Sequence, residues 1–140
     1  MRILGLDVGD RRIGIAVSDP TGLIATGLNV LKRTSLEEDL KEILKYVEEY
    51  KVDAVVSGLP KNMDGTTGFQ ANKVLDFLEE LKKVYSGKII TWDERLTTVS
   101  AHRLMAEKKT KINKRKQEVD KIAACYILQG YLDSGAFKKE

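Results

Sequence analysis

Residues 2–8, Arg2-Ile3-Leu4-Gly5-Leu6-Asp7-Val8, are apolar at nearly every step after Arg2. A run that is apolar on both sides of the pleat predicts a strand buried on both faces. A second run, Arg12-Ile13-Gly14-Ile15-Ala16-Val17-Ser18, follows after only Gly9-Asp10-Arg11, a connector of the length and composition of an antiparallel hairpin turn. Asp19-Pro20-Thr21-Gly22 predicts a turn, with proline presetting φ and glycine releasing it, and a third strand then spans roughly 23–31. Ser35 is placed to cap a helix with Glu37 and Glu38 in its first turn, running to about Tyr50. Leu36, Leu40, Ile43, Leu44 and Val47 recur along it at helical spacing.

Asp53-Ala54-Val55-Val56-Ser57-Gly58 is a short apolar strand between helices, the pattern of a parallel βαβ unit. The segment Leu59 to Thr66 is too polar and turn-rich to be core and predicts a loop. A helix over about 67–85 presents Val74, Phe77, Leu78 and Leu81 on one side. A fifth strand covers Lys88 to Trp92, and two further helices cover about 97–108 and 117–133. The order β-β-β-α-β-α-β-α-α predicts an α/β fold: one mixed, five-stranded sheet with helices on both faces. No linker, repeat or low-complexity tract divides the chain, so residues 1–140 are expected to form one domain.

Against that pattern, Asp7 is out of place. A carboxylate taken out of water costs several kcal/mol unless something positive compensates it. Two more acids recur in similarly apolar surroundings, at Asp93-Glu94 after Ile89-Ile90-Thr91-Trp92 and at Asp120 in the last helix. On a helical wheel Ala123, Ala124, Ile127 and Tyr131 fall within about 60° of Asp120, so the acid sits in the middle of a small, apolar face. Helix-dipole stabilisation of an aspartate in the first turn explains its position along the helix but not that face. Asp7 has the simpler alternative of capping a turn. At the third position, alternation sends only one of Asp93 and Glu94 to a given side, and spacing alone leaves the choice open.

Two carboxylates about 4 Å apart repel by roughly 4 kcal/mol at an effective dielectric near 20, so three converging acids call for a cation or a retained proton. Oxygen donors favour Mg²⁺ or Mn²⁺, and no Cys/His set argues for zinc. Such ions activate water and stabilise the leaving oxygen of a phosphodiester without a histidine base. His102, the only histidine, reads as a helix-surface residue.

Charge distribution points the same way. The net charge is +3, but Lys108, Lys109, Lys111, Lys114, Arg115 and Lys116 stand within nine residues that hold no acid; the remainder has 18 basic against 21 acidic residues, a net of −3. Localised positive charge is an electrostatic footprint for a polyanion, although a solvated loop would carry the same composition. The single cysteine, Cys125, lies among apolar helix residues and fits a reducing cytoplasm. No export signal is expected, and no apolar run approaches the roughly 20 residues that span a membrane.

The motifs also resemble a known family. Leu6-Asp7-Val8-Gly9-Asp10-Arg11-Arg12-Ile13-Gly14-Ile15-Ala16 is similar to the opening motif of the YqgF family. Gly58-Leu59-Pro60 with Asp64-Gly65, Asp93-Glu94-Arg95-Leu96-Thr97-Thr98, and Asp120-Lys121-Ile122-Ala123-Ala124 through Leu128-Gln129 are similar to its later motifs, in the same order. Members carry pre-16S rRNA nuclease and Holliday-junction-resolvase-like names. The resemblance implies an RNase H-like fold with sheet order 3-2-1-4-5. It implies catalytic, metal-binding roles for Asp7, Glu94 and Asp120, which takes Glu94 over Asp93. It further implies a cytoplasmic part in maturing the 5′ end of 16S rRNA. Related resolvases often carry a fourth acid on the last helix, where Ala123 and Ala124 stand here. With three acids, substrate phosphate is left to complete a second metal site.

Around the acids, Arg11, Arg12, Lys61 and Arg95 are candidate phosphate contacts, with hairpin solvation or a salt bridge to Asp93 as the plainer roles of the arginines. Contacts from the 108–116 stretch would give salt-dependent affinity with little sequence preference. No aromatic ladder is present, so structured RNA, or branched DNA, is the expected partner, met by a monomer or weak homodimer. Three alternatives remain: a DNA-junction resolvase acting as a dimer, a non-catalytic RNA-binding module, and a nucleotide-binding domain of the sugar-kinase type. The last needs two such domains around the nucleotide.

Overall fold

The structure, a computed structural model, describes the backbone of residues 1–60, 64, 68–94 and 116–135, and the side chains of the same residues except 116–121. The elements are β1 (Ile3–Val8), β2 (Arg12–Ser18), β3 (Ala25–Lys32), α1 (Leu36–Glu49), β4 (Ala54–Leu59), α2 (Phe69–Val84), β5 (Lys88–Asp93) and α3 (Lys116–Ser134). The expected helix over 97–108 lies outside the described residues.

The strands form one sheet in the order β3-β2-β1-β4-β5. The first three make an antiparallel meander, and β4 and β5 add in parallel, with Leu6 beside Ser57 and Gly58 beside Trp92. Strand alternation sorts side chains onto two faces. Leu4, Leu6, Val8, Ile13, Ile15 and Val17 pack beneath α1 and α2, with Leu40, Ile43, Val74, Phe77, Leu78 and Leu81. Ile3, Ala16, Ala54 and Val56 pack beneath α3, with Ala124, Leu128, Tyr131 and Leu132. Helices therefore cover both faces. Ser35 caps α1 by accepting from the Glu38 amide at 3.2 Å. Leu36, at the start of the apolar series, is 41% exposed, because α1 meets the sheet only from its second turn.

The third strand begins two residues later than the apolar pattern predicts. Leu23 and Ile24 give their amides to the Asp19 carboxylate, at 2.8 and 2.9 Å, and so are taken from the ladder. Gly22 closes the turn with φ +75°. These bonds, from Ile24 first and then from the Thr21 hydroxyl, hold the Asp19 carboxyl far below the usual carboxylate range. The stabilisation is present at neutral pH and is lost progressively as pH falls from the ordinary carboxylate range through that depressed value.

α3 can lie close to the sheet because β1 has no side chain at Gly5. A Cβ there would stand 2.8 Å from Leu128 Cβ and 3.3 Å from the Ala124 carbonyl oxygen. Neither atom is the flexible end of a side chain, so Gly5→Ala must lift the helix. It is expected to destabilise by about 2 kcal/mol. A lower urea midpoint at unchanged slope reads this out; an unmoved midpoint would mean that α3 has slack.

Candidate active site at the carboxyl ends of β1, β4 and β5

Because β1, β4 and β5 run parallel, their carboxyl ends share one edge of the sheet, where ligands of open α/β folds bind. Asp7 is the penultimate residue of β1 and is half-buried. Its parity is that of Ile3 and Gly5, so its side chain leaves the sheet on the α3 side. Continuing the pairing of Leu6 with Ser57 by one residue sets Asp7 beside Gly58, one strand spacing of about 4.8 Å away.

Gly58 also brings in the second acid. A Cβ built on it would lie 2.6 Å from Glu94 Oε1 and 2.5 Å from Ile127 Cδ1. The Glu94 carboxylate thus folds back from the end of β5 over β4, toward the strand that carries Asp7. Asp93 goes the other way. It pairs with Leu59, whose side chain belongs to the core under α1 and α2, so alternation turns Asp93 to that face. The geometry puts Asp7 and Glu94 on the α3 side of the sheet and Asp93 on the other.

Asp120 lies in α3, one helical turn before Ala124, whose carbonyl oxygen sits over Gly5, and Gly5 precedes Asp7 by two residues on the same face. Its side chain is outside the described residues. Among the described residues no three His, Cys, Asp or Glu side chains form a metal-holding group.

Arg11 and Arg12 occupy the β1–β2 connection at this same edge, Arg11 exposed and Arg12 half-buried. Lys61, Arg95 and the stretch from Lys108 through Lys109, Lys111 and Lys114 to Arg115 lie outside the described residues, as does the side chain of Lys116.

The sequence reading missed a polar cluster beneath the turn. The Arg33 guanidinium donates through Nε to Asp39 Oδ2 at 3.0 Å and through Nη1 to the Gly9 carbonyl at 2.9 Å. It lies 5.0 Å from the centre of the Phe77 ring. Asp39, 2% exposed, also accepts from the Thr34 amide at 3.1 Å. Lys73 reaches Asp10 at 3.2 Å. The only signal for Asp39 was its place in the first turn of α1, which any helix-dipole acid shares.

A recess of about 360 Å³ opens on this side of the sheet, lined by Asp10, Arg33, Leu36, Lys73, Asp76, Phe77 and Glu80. Its two cations already face carboxylates, and a phosphate entering it would meet three acids. The recess therefore does not suit a phosphate, and Asp7 and Glu94 lie on the opposite face of the sheet.

A family model described as RuvX, Holliday junction resolvase, matches residues 1–134. A Clostridium tetani protein named "Putative pre-16S rRNA nuclease" is 61% identical over 134 residues, covering 96% of this chain and 97% of that one. A Clostridium novyi protein of the same name is 58% identical, covering 96% and 99%. Among solved structures, Thermus thermophilus RuvC in complex with Holliday junction substrate superposes with a TM-score of 0.60 at 14% identity over 97% of both chains. Fowlpox virus resolvase with its junction DNA gives 0.57 at 16%, over 97% and 99%. At such identities these two structures show the fold, that of RuvC-like, RNase H-fold resolvases.

Proposed function

Because this chain belongs to the RuvX family of Holliday junction resolvases, we propose that it is a divalent-metal-dependent nuclease that hydrolyses phosphodiester bonds in structured RNA, processing the 5′ end of pre-16S rRNA. The observation that carries the reading is the Glu94 carboxylate lying over Gly58, beside the strand end that bears Asp7. The names of relatives 58–61% identical over nearly the whole chain support the RNA substrate.

The donor set fits Mg²⁺ or Mn²⁺: it consists of hard carboxylate oxygens, and the missing Cβ of Gly58 leaves the space one of them occupies. Asp7 and Glu94, with Asp120 from the helix above, would hold the metal. When bound, it lowers the pKa of water and offsets charge on the leaving oxygen. Arg11 and Arg12 orient the neighbouring phosphates from the hairpin end, and Arg95 and Lys61 extend that contact. α3 packs against Gly5, two residues before Asp7 on the same face.

The test is incubation with pre-rRNA fragments and four-way DNA junctions side by side, in Mn²⁺, Mg²⁺ or chelator, for wild type and Asp120→Asn. Metal-dependent RNA cleavage that Asp120→Asn loses is the expected result. Cleavage of junctions alone, by a dimer cutting symmetrically, would favour the resolvase reading, to which the fold of the two junction-bound neighbours lends weight. Binding without cleavage under every metal would leave a non-catalytic module.

The stretch 108–116 is read as a backbone clamp. Replacing Lys114, Arg115 and Lys116 with alanine is expected to weaken RNA binding and lower the salt slope by about 2, near 0.7–0.9 per lost phosphate contact. An unchanged slope would make the stretch a bystander. Among the described residues no helix is long and apolar enough to cross a membrane. We place the protein in the cytoplasm, as one domain.

A further inference from the structure

We propose that Arg33 is a positioning residue for the reaction: with Asp39 it forms a strut that holds the β1–β2 turn, and through it the Asp7 carboxylate and Arg11, in working geometry. The inference rests on the nuclease reading above.

The guanidinium does not spend its fork on one carboxylate. Nε goes to Asp39 on α1 and Nη1 to the Gly9 carbonyl, two residues beyond Asp7. The Phe77 ring of α2 supports its flat face. The Arg33 amide donates to the Arg11 carbonyl at 2.9 Å, and Gly9 closes the turn by donating to the Arg12 carbonyl at 2.9 Å. One residue therefore ties both flanks of the turn to both helices of that face. The exposed Lys73–Asp10 pair reaches the same turn but is freely solvated, and such pairs fix little.

A stability role alone does not explain the arrangement. A largely buried ion pair can usually be exchanged for apolar residues without loss of stability. What an apolar pair could not supply is a directed donor to the Gly9 carbonyl. Asp7 leaves the sheet on one face and the strut grips the turn from the other, so the strut touches neither substrate nor metal. It acts through the backbone, and an error of about 1 Å in a reacting group can lower rate a hundredfold.

The experiment uses the full-length chain with Arg33→Ala, Arg33→Lys and Asp39→Asn. Hydrogen exchange of the 9–12 amides reads the turn, calorimetric Mn²⁺ titration reads the acids, and cleavage kinetics read the rate, all well below each variant's Tm. In Arg33→Ala we expect turn exchange to speed up about tenfold or more, Mn²⁺ binding and kcat each to fall about 10–100-fold, and KM to move little. Arg33→Lys should resemble Arg33→Ala, because one ammonium cannot span both acceptors. Asp39→Asn should fall between, since one of its two donors then faces an amide nitrogen. Free guanidinium at millimolar concentration should partly restore kcat in Arg33→Ala.

Unchanged exchange at the turn would overturn the strut. Faster exchange with a lower Tm but wild-type Mn²⁺ affinity and kcat would reduce it to a structural bond and overturn its role in the reaction. A wild type that neither binds Mn²⁺ nor cleaves would overturn the nuclease reading itself, while the exchange result still decides whether the strut exists.

Discussion

Asp7→Asn is expected to abolish cleavage, by roughly a thousandfold or more, which is about 4 kcal/mol of transition-state stabilisation, while the protein stays folded. Asparagine keeps the size and shape of the side chain on the penultimate residue of β1 but removes the charge. Asp7 and Glu94 share the α3 side of the sheet, with Glu94 Oε1 lying over Gly58 of the neighbouring strand. Removing one of two like charges relieves a repulsion of the order of a few kcal/mol at most. The metal-free Tm should hold or rise by a few degrees. Calorimetry in chelator and single-turnover cleavage in Mn²⁺ measure the two halves, and RNA binding should persist through the basic residues. A fall in metal-free Tm of more than about 5 °C would mean that Asp7 is built in as a structural acceptor, and retained turnover would remove it from the site.

Gly58→Ala should have the next largest effect on activity, through a methyl group. The new Cβ would stand 2.5 Å from Ile127 Cδ1 and 2.6 Å from Glu94 Oε1. Both are ends of flexible side chains, so the fold can accommodate the methyl at a cost of about 1–3 kcal/mol. The Glu94 carboxylate has to leave its place over β4, however, and displacement by about 1 Å is enough for a hundredfold loss in kcat. Mn²⁺ affinity should fall with it. The comparison with Gly5→Ala is informative, because that methyl strikes the last helix rather than an acid: it should cost stability chiefly. A Gly58→Ala protein with full activity would show that Glu94 works from another position, or not at all.

The strands were legible because both sheet faces are covered, so residues 3–8 and 12–18 are apolar at nearly every step. Asp7 was legible for the same reason, as a charge where the pattern allows none. The choice between Asp93 and Glu94 was not, because alternation assigns faces only once the register is known. The pairing of Leu59 with Asp93 supplies it. Leu23 and Ile24 look like strand by composition, but their amides are claimed by Asp19, a contest that apolar pattern does not record. Arg33 and Asp39 were invisible as a pair. One follows a strand and the other lies in the first turn of a helix, and the second acceptor of Arg33, the Gly9 carbonyl, lies 24 residues before it. Gly5 gave no hint of which helix needed its missing side chain.

The way α3 seats on Gly5 also bears on how the chain behaves while it is being made. β1, β2 and β3 are neighbours in sequence and can pair as soon as they emerge, whereas the helix that roofs them is translated about 100 residues later, some 5–20 s at bacterial elongation rates. During that interval the floor of the nascent sheet around Gly5 and Ala16 stands uncovered. A ribosome-bound chain short of residue 116 therefore lacks the helix that closes this side of its sheet.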